Sequence, residues 1–398
     1  MPRAWRRLSG EARMLNLSER EALGGYQERS HALPGTGLTA PGSSDQRSSF
    51  LRWPLRALAW PYGLAVRART ALYERGWLPR RRLPCRVVSV GNLTVGGTGK
   101  TPVVISIAEW LLARGKRVGV LSRGYRRRSR APQLLVSDGR TILEGPAEAG
   151  DEPHLIAWRC PGAVVAVGTD RYRLGRWVLE RFPIDCFVLD DGFQHLALHR
   201  DVDLLLIDAS DPGGLEALLP AGRLREPLTA AARATALLLT RADVVAGPNT
   251  LLASIRAATG RDSRPILIRF IPEALVNMVT GMLEEVASAA GRTAVAFSGI
   301  GNAASFRTLL ADQGLKVLDD LVFPDHHGYT AEDLSLIRDR AGRCGADMIV
   351  TTEKDAVKVA TLVSRTDRLW ALRLRTEIME GQARLEGLLL GNEQYRQF

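Results

Sequence analysis

"SVGNLTVGGTGKTPVV", residues 89–104, joins an apolar strand pattern to a helical pattern through a glycine-rich loop. The common phosphate-binding loop reads Gly, any four residues, then Gly-Lys-Ser/Thr. Counting back from Gly99, the first glycine of that pattern would stand at position 94, where this chain has Thr94. The loop is therefore a variant of the pattern, although three glycines followed by Lys-Thr are more than a plain turn between a strand and a helix requires.

This loop predicts a nucleotide site. Its glycines let backbone N–H groups point at a phosphate, and the start of the following helix adds partial positive charge. In such loops the lysine contacts the β- and γ-phosphates and the hydroxyl residue binds Mg²⁺. We therefore expect ATP and Mg²⁺ as cofactors, with the nucleotide held by Thr94, Val95, Gly96, Gly97, Thr98, Gly99, Lys100 and Thr101.

A phosphate-binding loop of this kind needs an acidic partner for Mg²⁺ at the end of a neighbouring buried strand. "IDCFVLDDGFQH" supplies Asp190 and Asp191, and "VDLLLIDAS" supplies Asp208 in a similar position. Adjacent carboxylates repel each other unless a cation lies between them, and this favours the doubled aspartates. We expect Asp190 and Asp191 to bind the metal and keep Asp208 as the alternative.

Short apolar runs alternate with helical patterns from residue 86 onward. Continuous apolar runs are typical of strands buried on both faces, and hence of a parallel sheet with crossover helices. The runs are 87–90, 117–121, 133–136, 163–167, 186–189, 204–207, 236–239 and 266–268, followed by a shorter set at 294–297, 321–323 and 348–350. This pattern predicts an α/β fold, namely a P-loop NTPase-like α/β/α sandwich with a second, smaller α/β/α domain.

The same pattern suggests how the chain is divided. We expect a flexible N-terminal extension at 1–48, a basic amphipathic segment at 49–83, a nucleotide-binding domain at 84–268 and a smaller α/β domain at 279–368. Two strands near 265–272 and 369–376 would pair as a β neck between the two domains. A C-terminal helix at 380–398 would pack back on the first domain.

The positive charge is concentrated at the N-terminus. The net charge of the chain is +11, and residues 1–83 hold 15 basic against 6 acidic residues. Residues 49–83 place Leu51, Leu55, Leu58, Tyr62 and Ala65 on one helical stripe, with arginines on another side and a bend or break expected at Pro54 and Pro61. This pattern favours a helix lying in an anionic membrane surface rather than a nucleic-acid site. The alternative is a helix that packs on the next domain.

Composition excludes two further classes of protein. No stretch reaches 18 uncharged apolar residues, so we predict no transmembrane helix. The four cysteines are widely spaced and make no CxxC pair, which indicates reduced, buried thiols rather than a disulfide framework or a zinc site. The sequence carries no signal of an obligate protein partner.

Three further motifs carry charge, and each also has a purely structural explanation. "GDEPHLIAW" places Asp151 and Glu152 at the start of a helical pattern. Acidic side chains at this position stabilise a helix through its dipole, and this explanation requires no catalytic role. "FPDHHGYT" places two histidines beside a carboxylate on a loop. "TTEKDAVK" places Lys354 between two acidic residues, as a solvated helix start or as a phosphate contact.

Taken together, these segments resemble the tetraacyldisaccharide 4'-kinase family. The family's pattern runs in its usual order over roughly residues 50–375, as "RRLPCRVVSVGNLTVGGTGKTP", "LSRGYRR", "GDEP", "VGTDR", "LDDGFQH", "FSGIGNAASF", "FPDHHGYT" and "TTEKDAVK". The resemblance implies phosphoryl transfer from MgATP to the 4'-hydroxyl of a tetraacyldisaccharide 1-phosphate lipid, at the cytoplasmic face of the bacterial inner membrane. It also implies two α/β/α domains joined by a β neck.

The resemblance further implies roles for individual residues. Asp151 matches the family's catalytic aspartate, His326 matches the second-domain histidine that pairs with it, and Lys100 serves the transferring phosphate. Glu152 joins Thr101, Asp190 and Asp191 as an expected metal ligand. We expect His326 to take the hydroxyl proton while Asp151 orients its ring across the cleft between the domains. The competing function is a membrane-surface switch ATPase of the partitioning type, and a dethiobiotin-synthetase-like enzyme is a more distant alternative.

Overall fold

The apolar runs form the strands of one 13-stranded mixed sheet. The computed structural model describes residues 47–245, 249–262, 264–392 and 394. The expected extension at 1–48 lies outside these residues, apart from its last two. The α/β class is confirmed, whereas the domain boundaries stay a prediction.

The strands, in chain order, are β1 Arg86–Asn92, β2 Val118–Ser122, β3 Gln133–Asp138, β4 Val164–Gly168, β5 Cys186–Asp190, β6 Val202–Asp208, β7 Ala236–Thr240, β8 Ile266–Asn277, β9 Leu283–Glu284, β10 Thr293–Ser298, β11 Lys316–Val322, β12 Met348–Thr352 and β13 Leu369–Glu380. The α-helices are α1 Arg47–Glu74, α2 Lys100–Ala113, α3 Pro146–Ala149, α4 Asp151–Arg159, α5 Arg171–Leu179, α6 Asn249–Thr259, α7 Ala303–Asp312, α8 Ala331–Cys344, α9 Glu353–Val359 and α10 Gln382–Leu390.

The first region of the sheet has the order β3-β4-β2-β5-β1-β6-β7-β8 and is parallel except at its edge. There β3 runs antiparallel to β4, so the expectation of a parallel strand at 133–136 was wrong. The reason is the connection from β2, which contains no helix. A parallel strand needs a crossover connection, usually a helix, that returns the chain to the opposite edge of the sheet. Without one, β3 begins at the same edge at which β2 ends and runs in the opposite direction.

The second region, β13-β12-β10-β11, is also parallel within itself. The two regions meet at β8 and β13, which pair antiparallel along twelve-residue strands, longer than the sequence suggested. The start of β8 pairs with β7 and the start of β13 pairs with β12. The strands of the two regions therefore point their carboxyl ends at each other, and the loops that follow those ends face one another.

Helices cover both faces of each region, as an α/β/α sandwich requires. On the first region, the apolar sides of α2, α4 and α10 pack on one face, and those of α5 and α6 pack on the other. On the second region, α8 and α9 cover one face and α7 the other. The C-terminal helix α10 packs back on the first region through Leu385, Leu388 and Leu389.

Helix α1 lies against the first region instead of standing apart from it. The Tyr62 hydroxyl donates to the Arg225 carbonyl at 2.8 Å, and Gly63 approaches Leu218 so closely that a Cβ would come within 2.8 Å of its side chain. The helix continues through Pro54 and Pro61, so it is not broken there, whereas the other possibility, a bend, stays a prediction. Both prolines are exposed, and each removes one backbone N–H from the helix without ending it.

The apolar stripe expected on α1 is divided between two faces. Leu55 and Tyr62 are partly buried toward the protein, whereas Leu58 and Ala65 are exposed. The side chain of Leu51 lies outside the described residues. No helix within the described ranges combines the length and the apolar character needed to cross a bilayer.

The four cysteines are free, and the expectation of buried thiols holds only in part. Cys160 and Cys186 are buried, Cys85 is partly buried and Cys344 is exposed. Cys344 is the last residue of α8.

A buried arginine ties the two regions together. The Arg159 side chain, 5% exposed at the end of α4, pairs with Glu353 of α9 at 2.7 Å. It also donates to the Leu374 carbonyl of β13 at 3.2 Å. Its other acidic neighbours are Glu109 of α2 at 3.4 Å and Glu273 of β8 at 3.6 Å. One guanidinium thus contacts elements of both regions.

Arg159→Met should destabilise the protein, because the buried carboxylate of Glu353 loses this cation. Removing one partner of a buried pair typically costs roughly 3–5 kcal/mol, and we expect a loss of that order in the free energy of unfolding, measured by urea denaturation. Adding Glu353→Met should recover part of it, because apolar groups replace the pair.

The matched control is Arg181→Met, which removes a surface pair with Glu180 and a hydrogen bond to the Trp177 carbonyl. Exposed pairs contribute about 1 kcal/mol or less, so this variant should stay close to the wild type. Equal losses in the two arginine variants would contradict the structural role of Arg159.

Candidate active site

The phosphate-binding loop leaves the carboxyl end of β1 and enters α2. Gly99 caps α2 with φ 81°, and a Cβ at this position would lie 2.3 Å from the ring of Phe270. Gly96 has φ 119°, which also favours glycine. The loop is braced from the sides by the Thr240 hydroxyl, which donates to the Thr98 carbonyl at 3.0 Å, and by Arg241, which donates to the Gly97 carbonyl at 3.2 Å.

The position of Thr94 explains why the first glycine is dispensable here. Its backbone is outside the left-handed region, its side chain is buried, and it forms a bridge to Leu224. The next residue, Val95, donates its N–H to the Arg223 carbonyl at 2.8 Å. The segment around residue 224 therefore supports the start of the loop like an extra strand, and this support requires no left-handed turn.

Lys100 lies at the start of α2 and faces polar groups at the ends of β1 and β5. Its Nζ donates to Asn92 Oδ1 at 3.2 Å and lies 3.8 Å from Asp191 Oδ1. Arg225 holds Asp191 through two hydrogen bonds of 2.8 and 2.9 Å, and it also contacts Asn92. Burial would raise the pKa of Asp191, but Arg225 and Lys100 bring it below its ordinary value.

Asp190 is the buried carboxyl of the site, with 1% of its surface exposed. Oδ2 accepts a hydrogen bond from the Ser122 hydroxyl at 2.8 Å, and the buried Oδ1 has no partner. Burial, together with Glu152 and Asp191, raises the pKa of Asp190 to about 7. A buried carboxyl oxygen without a donor, beside a second carboxylate, fits a bound cation.

The surroundings fit Mg²⁺ bound jointly by protein and phosphate oxygens. Within the ranges that the structure describes, no group of three or more His, Cys, Asp or Glu side chains is arranged to hold a metal by itself. Mg²⁺ is usually bound by one or two carboxylates and by substrate phosphates. Asp190 and Asp191 supply such carboxylates, whereas the alternative, Asp208, is paired with Arg241 and accepts from Ser210.

Across from the phosphate-binding loop, the structure brings Asp151 and His326 together. Asp151 begins α4 of the first region, and His326 follows β11 of the second region. The distance from His326 Nδ1 to Asp151 Oδ2 is 3.3 Å. Tyr125, after β2, places its ring edge-on to His326 with centroids 5.6 Å apart. The two side chains thus meet across the cleft.

The neighbouring His327 has a different environment. Its Nε2 lies 2.9 Å from Asp333 Oδ2, and its ring stacks on Phe323 with centroids 4.8 Å apart. Asp333 also forms the capping box of α8 with Thr330. His327 therefore packs within the second region and faces away from Asp151.

Two of the site residues expected from the sequence have left-handed backbones although they are not glycines. Asp191 has φ 51° and His326 has φ 61°. Such conformations cost free energy and persist where the surrounding structure enforces them, often at functional sites. In Asp191 the strained turn directs the carboxylate toward Lys100 and Arg225, and in His326 it directs the ring toward Asp151.

Several residues at the site were not assigned to it from the sequence, although Lys354 was considered there as a phosphate contact. Lys354 bridges the cleft, since its Nζ lies 3.3 Å from His326 Nε2, 3.3 Å from Asp325 Oδ1 and 3.9 Å from Glu152 Oε1. Glu152, expected as a metal ligand, faces this ammonium. Asn92 and Ser122 are the last residues of buried strands, and this position could have identified them from the sequence as residues of the site. Arg225 has no such signal, because only tertiary packing brings its loop to Asp191.

The chain is similar to known proteins over most of its length. A family model described as tetraacyldisaccharide-1-P 4'-kinase matches residues 51–393. The tetraacyldisaccharide 4'-kinase of Syntrophus aciditrophicus is 42% identical over 330 residues, covering 81% of this chain and 88% of the relative. That of Pelobacter propionicus is 44% identical over 301 residues, covering 76% and 81%.

The fold also matches a solved structure. A crystal structure of LpxK from Aquifex aeolicus in complex with ATP has a TM-score of 0.69 and 34% sequence identity, covering 85% of this chain and 98% of that chain. The likeness to that chain therefore spans both regions of the sheet.

The raised pKa of Asp190 predicts a pH-dependent loss of stability. The folded pKa of about 7 lies above the ordinary value of 3.8, so the folded protein retains a proton on Asp190 through this window. The free energy of unfolding should therefore fall as pH rises from 3.8 to about 7, relative to that of Asp190→Asn, in metal-free buffer. Urea denaturation at several pH values measures this difference.

Mg²⁺ together with ATP should reverse that loss in the wild type, because a cation that binds the ionised carboxylate favours the folded state. Asp208→Asn serves as the control and should follow the wild type through the window. Parallel pH profiles for the wild type and Asp190→Asn would contradict the assignment of the buried carboxyl.

Proposed function

This chain belongs to the tetraacyldisaccharide-1-P 4'-kinase family, and we propose that its reaction takes place in the cleft between the phosphate-binding loop and the Asp151–His326 pair. The reaction transfers the γ-phosphoryl group of ATP to the 4'-hydroxyl of a tetraacyldisaccharide 1-phosphate, a step of lipid A biosynthesis. The alternative of a membrane-surface switch ATPase is not favoured, because the relatives named above are all kinases.

One observation carries the location of the reaction. His326 Nδ1 lies 3.3 Å from Asp151 Oδ2, although the two residues belong to opposite regions. The facing carboxyl ends of the two sets of strands put this pair opposite Lys100. A donor nucleotide on one side and an acceptor hydroxyl on the other then meet between them.

On the nucleotide side, the residues have separate tasks. The N–H groups of the loop and Lys100 bind the phosphates and withdraw negative charge from the group that is transferred. Thr101, Asp190 and Asp191 would hold Mg²⁺, and Glu152 lies close enough to Asp190 to affect its pKa. When bound, Mg²⁺ neutralises charge on the β- and γ-phosphate oxygens. Arg225 and Asn92 keep Asp191 and Lys100 in place.

On the acceptor side, the geometry revises the expected roles within the pair. His326 Nε2 faces the Lys354 ammonium, and Nδ1 faces Asp151. We therefore propose that the Asp151 carboxylate accepts the proton of the 4'-hydroxyl, as an aspartate does in protein kinases. His326 donates from Nδ1 to Asp151 and orients it for the approaching hydroxyl.

Asp151→Ala and His326→Ala should each lower kcat by roughly 10²–10⁴-fold, the span usual for a general base, with a smaller effect on the KM for ATP. The assay follows ATP-dependent phosphorylation of the detergent-dispersed disaccharide lipid. The double variant should be little worse than the more damaging single one, because the two side chains act as a unit.

His327→Gln is the matched control, since its side chain faces Asp333. It should retain near wild-type kcat, provided that thermal unfolding shows an intact fold. Multiplicative losses in the double variant, or a larger loss in His327→Gln than in His326→Ala, would overturn the assignment of the pair.

We also propose that the protein docks on an anionic membrane surface through α1, where it meets its lipid substrate on the cytoplasmic side of the inner membrane. The outward face of α1 is apolar, with Leu58, Trp60 and Leu64 exposed at 59%, 75% and 55%. Arg56 and Arg67 are exposed beside this face. An apolar face flanked by arginines fits a helix lying in the headgroup layer.

Arg56→Glu together with Arg67→Glu should weaken sedimentation with anionic vesicles, since each arginine near such a surface contributes roughly 1 kcal/mol at moderate salt. The effect should fade at high salt. Trp60→Ser with Leu64→Ser should weaken binding at all salt concentrations.

The control is Leu283→Ser, an exposed apolar residue of the second region. It should bind vesicles like the wild type. If all variants sedimented equally, α1 would be only a packing helix and the docking proposal would fail.

A further inference from the structure

We infer that Lys354 is a positioning residue for the transfer reaction, whose ammonium keeps the proton of His326 on Nδ1 and so makes the imidazole donate to Asp151. This inference rests on the proposed function, because it assigns a task to a side chain that contacts the proposed pair. The phosphate-binding loop and the metal ligands do not include it.

The argument begins with the two ring nitrogens of His326. Nδ1 lies 3.3 Å from Asp151 Oδ2 and Nε2 lies 3.3 Å from Lys354 Nζ. An ammonium group donates hydrogen bonds and accepts none, and a carboxylate accepts them. The two neighbours therefore impose one arrangement, in which Nε2 is the acceptor from Lys354 and Nδ1–H is the donor to Asp151.

The other arrangements leave a mismatch at one end of the ring. A proton on Nε2 alone would point at the ammonium and set the Nδ1 lone pair against the carboxylate. A doubly protonated ring would also point an N–H at Lys354. In both cases a partly buried contact is lost, since the side chains of His326 and Lys354 are 18% and 22% exposed.

Lys354 is held in position by its neighbours along α9. Glu353 is buried against Arg159 at 2.7 Å and Arg373 at 3.1 Å. Thr352 caps the helix by accepting the Asp355 N–H. Asp355 in turn accepts the Gly299 N–H at 2.9 Å. The first turn of α9 is thus anchored on several sides, and Lys354 extends from it into the cleft.

Lys354 also connects the two regions at the site. Its Nζ lies 3.3 Å from Asp325 Oδ1, beside His326, and 3.9 Å from Glu152 Oε1, beside Asp151. The ammonium therefore balances one carboxylate from each side of the cleft. The same contacts that fix the ring of His326 also bring Glu152 and Asp325 toward each other, and both require the regions to be close together.

The experiment is ¹⁵N NMR of the full-length protein with labelled histidine, at mildly alkaline pH where imidazoles are neutral. The ¹⁵N shifts of His326, assigned by their loss in His326→Gln, report which ring nitrogen carries the proton. We expect the Nδ1–H form in the wild type and in Lys354→Arg, which keeps a donor. In Lys354→Met we expect a substantial Nε2–H population.

Activity is measured on the same proteins. Lys354→Met should lower kcat by roughly 10- to 100-fold, as losing a group that orients a catalytic residue usually does, with a smaller change in the KM for ATP. Lys354→Arg should recover most of the loss. The control is Lys316→Met, an exposed lysine at the start of β11, which should leave both the tautomer and kcat unchanged.

The results separate the two proposals. An Nε2–H ring in the wild type, or an Nδ1–H ring with unchanged kcat in Lys354→Met, would overturn the role of Lys354. Full activity in His326→Gln would instead overturn the proposed pair, while the tautomer measurement would still report on Lys354.

Discussion

The antiparallel pairing of β8 with β13 is the constraint on which the rest of the structure depends. Each strand begins in one region of the sheet and ends beside the other. Since each region is otherwise nearly parallel, reversing the direction at this single junction makes two sets of carboxyl ends face each other. Loops that follow the carboxyl ends of parallel strands carry ligand sites in open α/β sheets. Here two such edges form the two walls of one cleft.

Two cations stabilise this arrangement, one behind the cleft and one at the cleft itself. Behind the cleft, Arg159 joins elements from both regions through Glu353 and the Leu374 carbonyl. At the cleft, Lys354 repeats the connection between Asp325 and Glu152. Charges taken out of water are costly unless they are paired, so each of these cations favours the arrangement in which its partners are close. The buried carboxyl of Asp190 also has an oxygen without a protein donor, and this is the position expected for a bound cation.

The parts of the site that are local in sequence were predictable. The strand, the loop and the start of α2 are consecutive, and glycine is required at positions 96 and 99 for conformational reasons that the residues themselves express. Asp190 and Asp191 were recognisable as a pair at the end of an apolar run. By contrast, Arg225 and Lys354 reach the site from distant segments, and each has an ordinary structural explanation when taken alone. His326 was chosen over His327 through the family resemblance, and the structure directs the first ring toward Asp151 and the second toward Asp333.

By itself the sequence determined the α/β class, the position of the nucleotide loop, the paired aspartates and the family, because strand hydrophobicity, glycine spacing and motif order are properties of short segments. Only the tertiary structure decided the direction of β3, the two faces of α1, the partner of His327 and the bridge made by Lys354. Those features depend on which segments lie side by side, and even the expected contact of Asp151 with His326 joins residues 175 apart along the chain. Pairing of this kind is set by the sheet order and by the antiparallel junction, which no local pattern encodes.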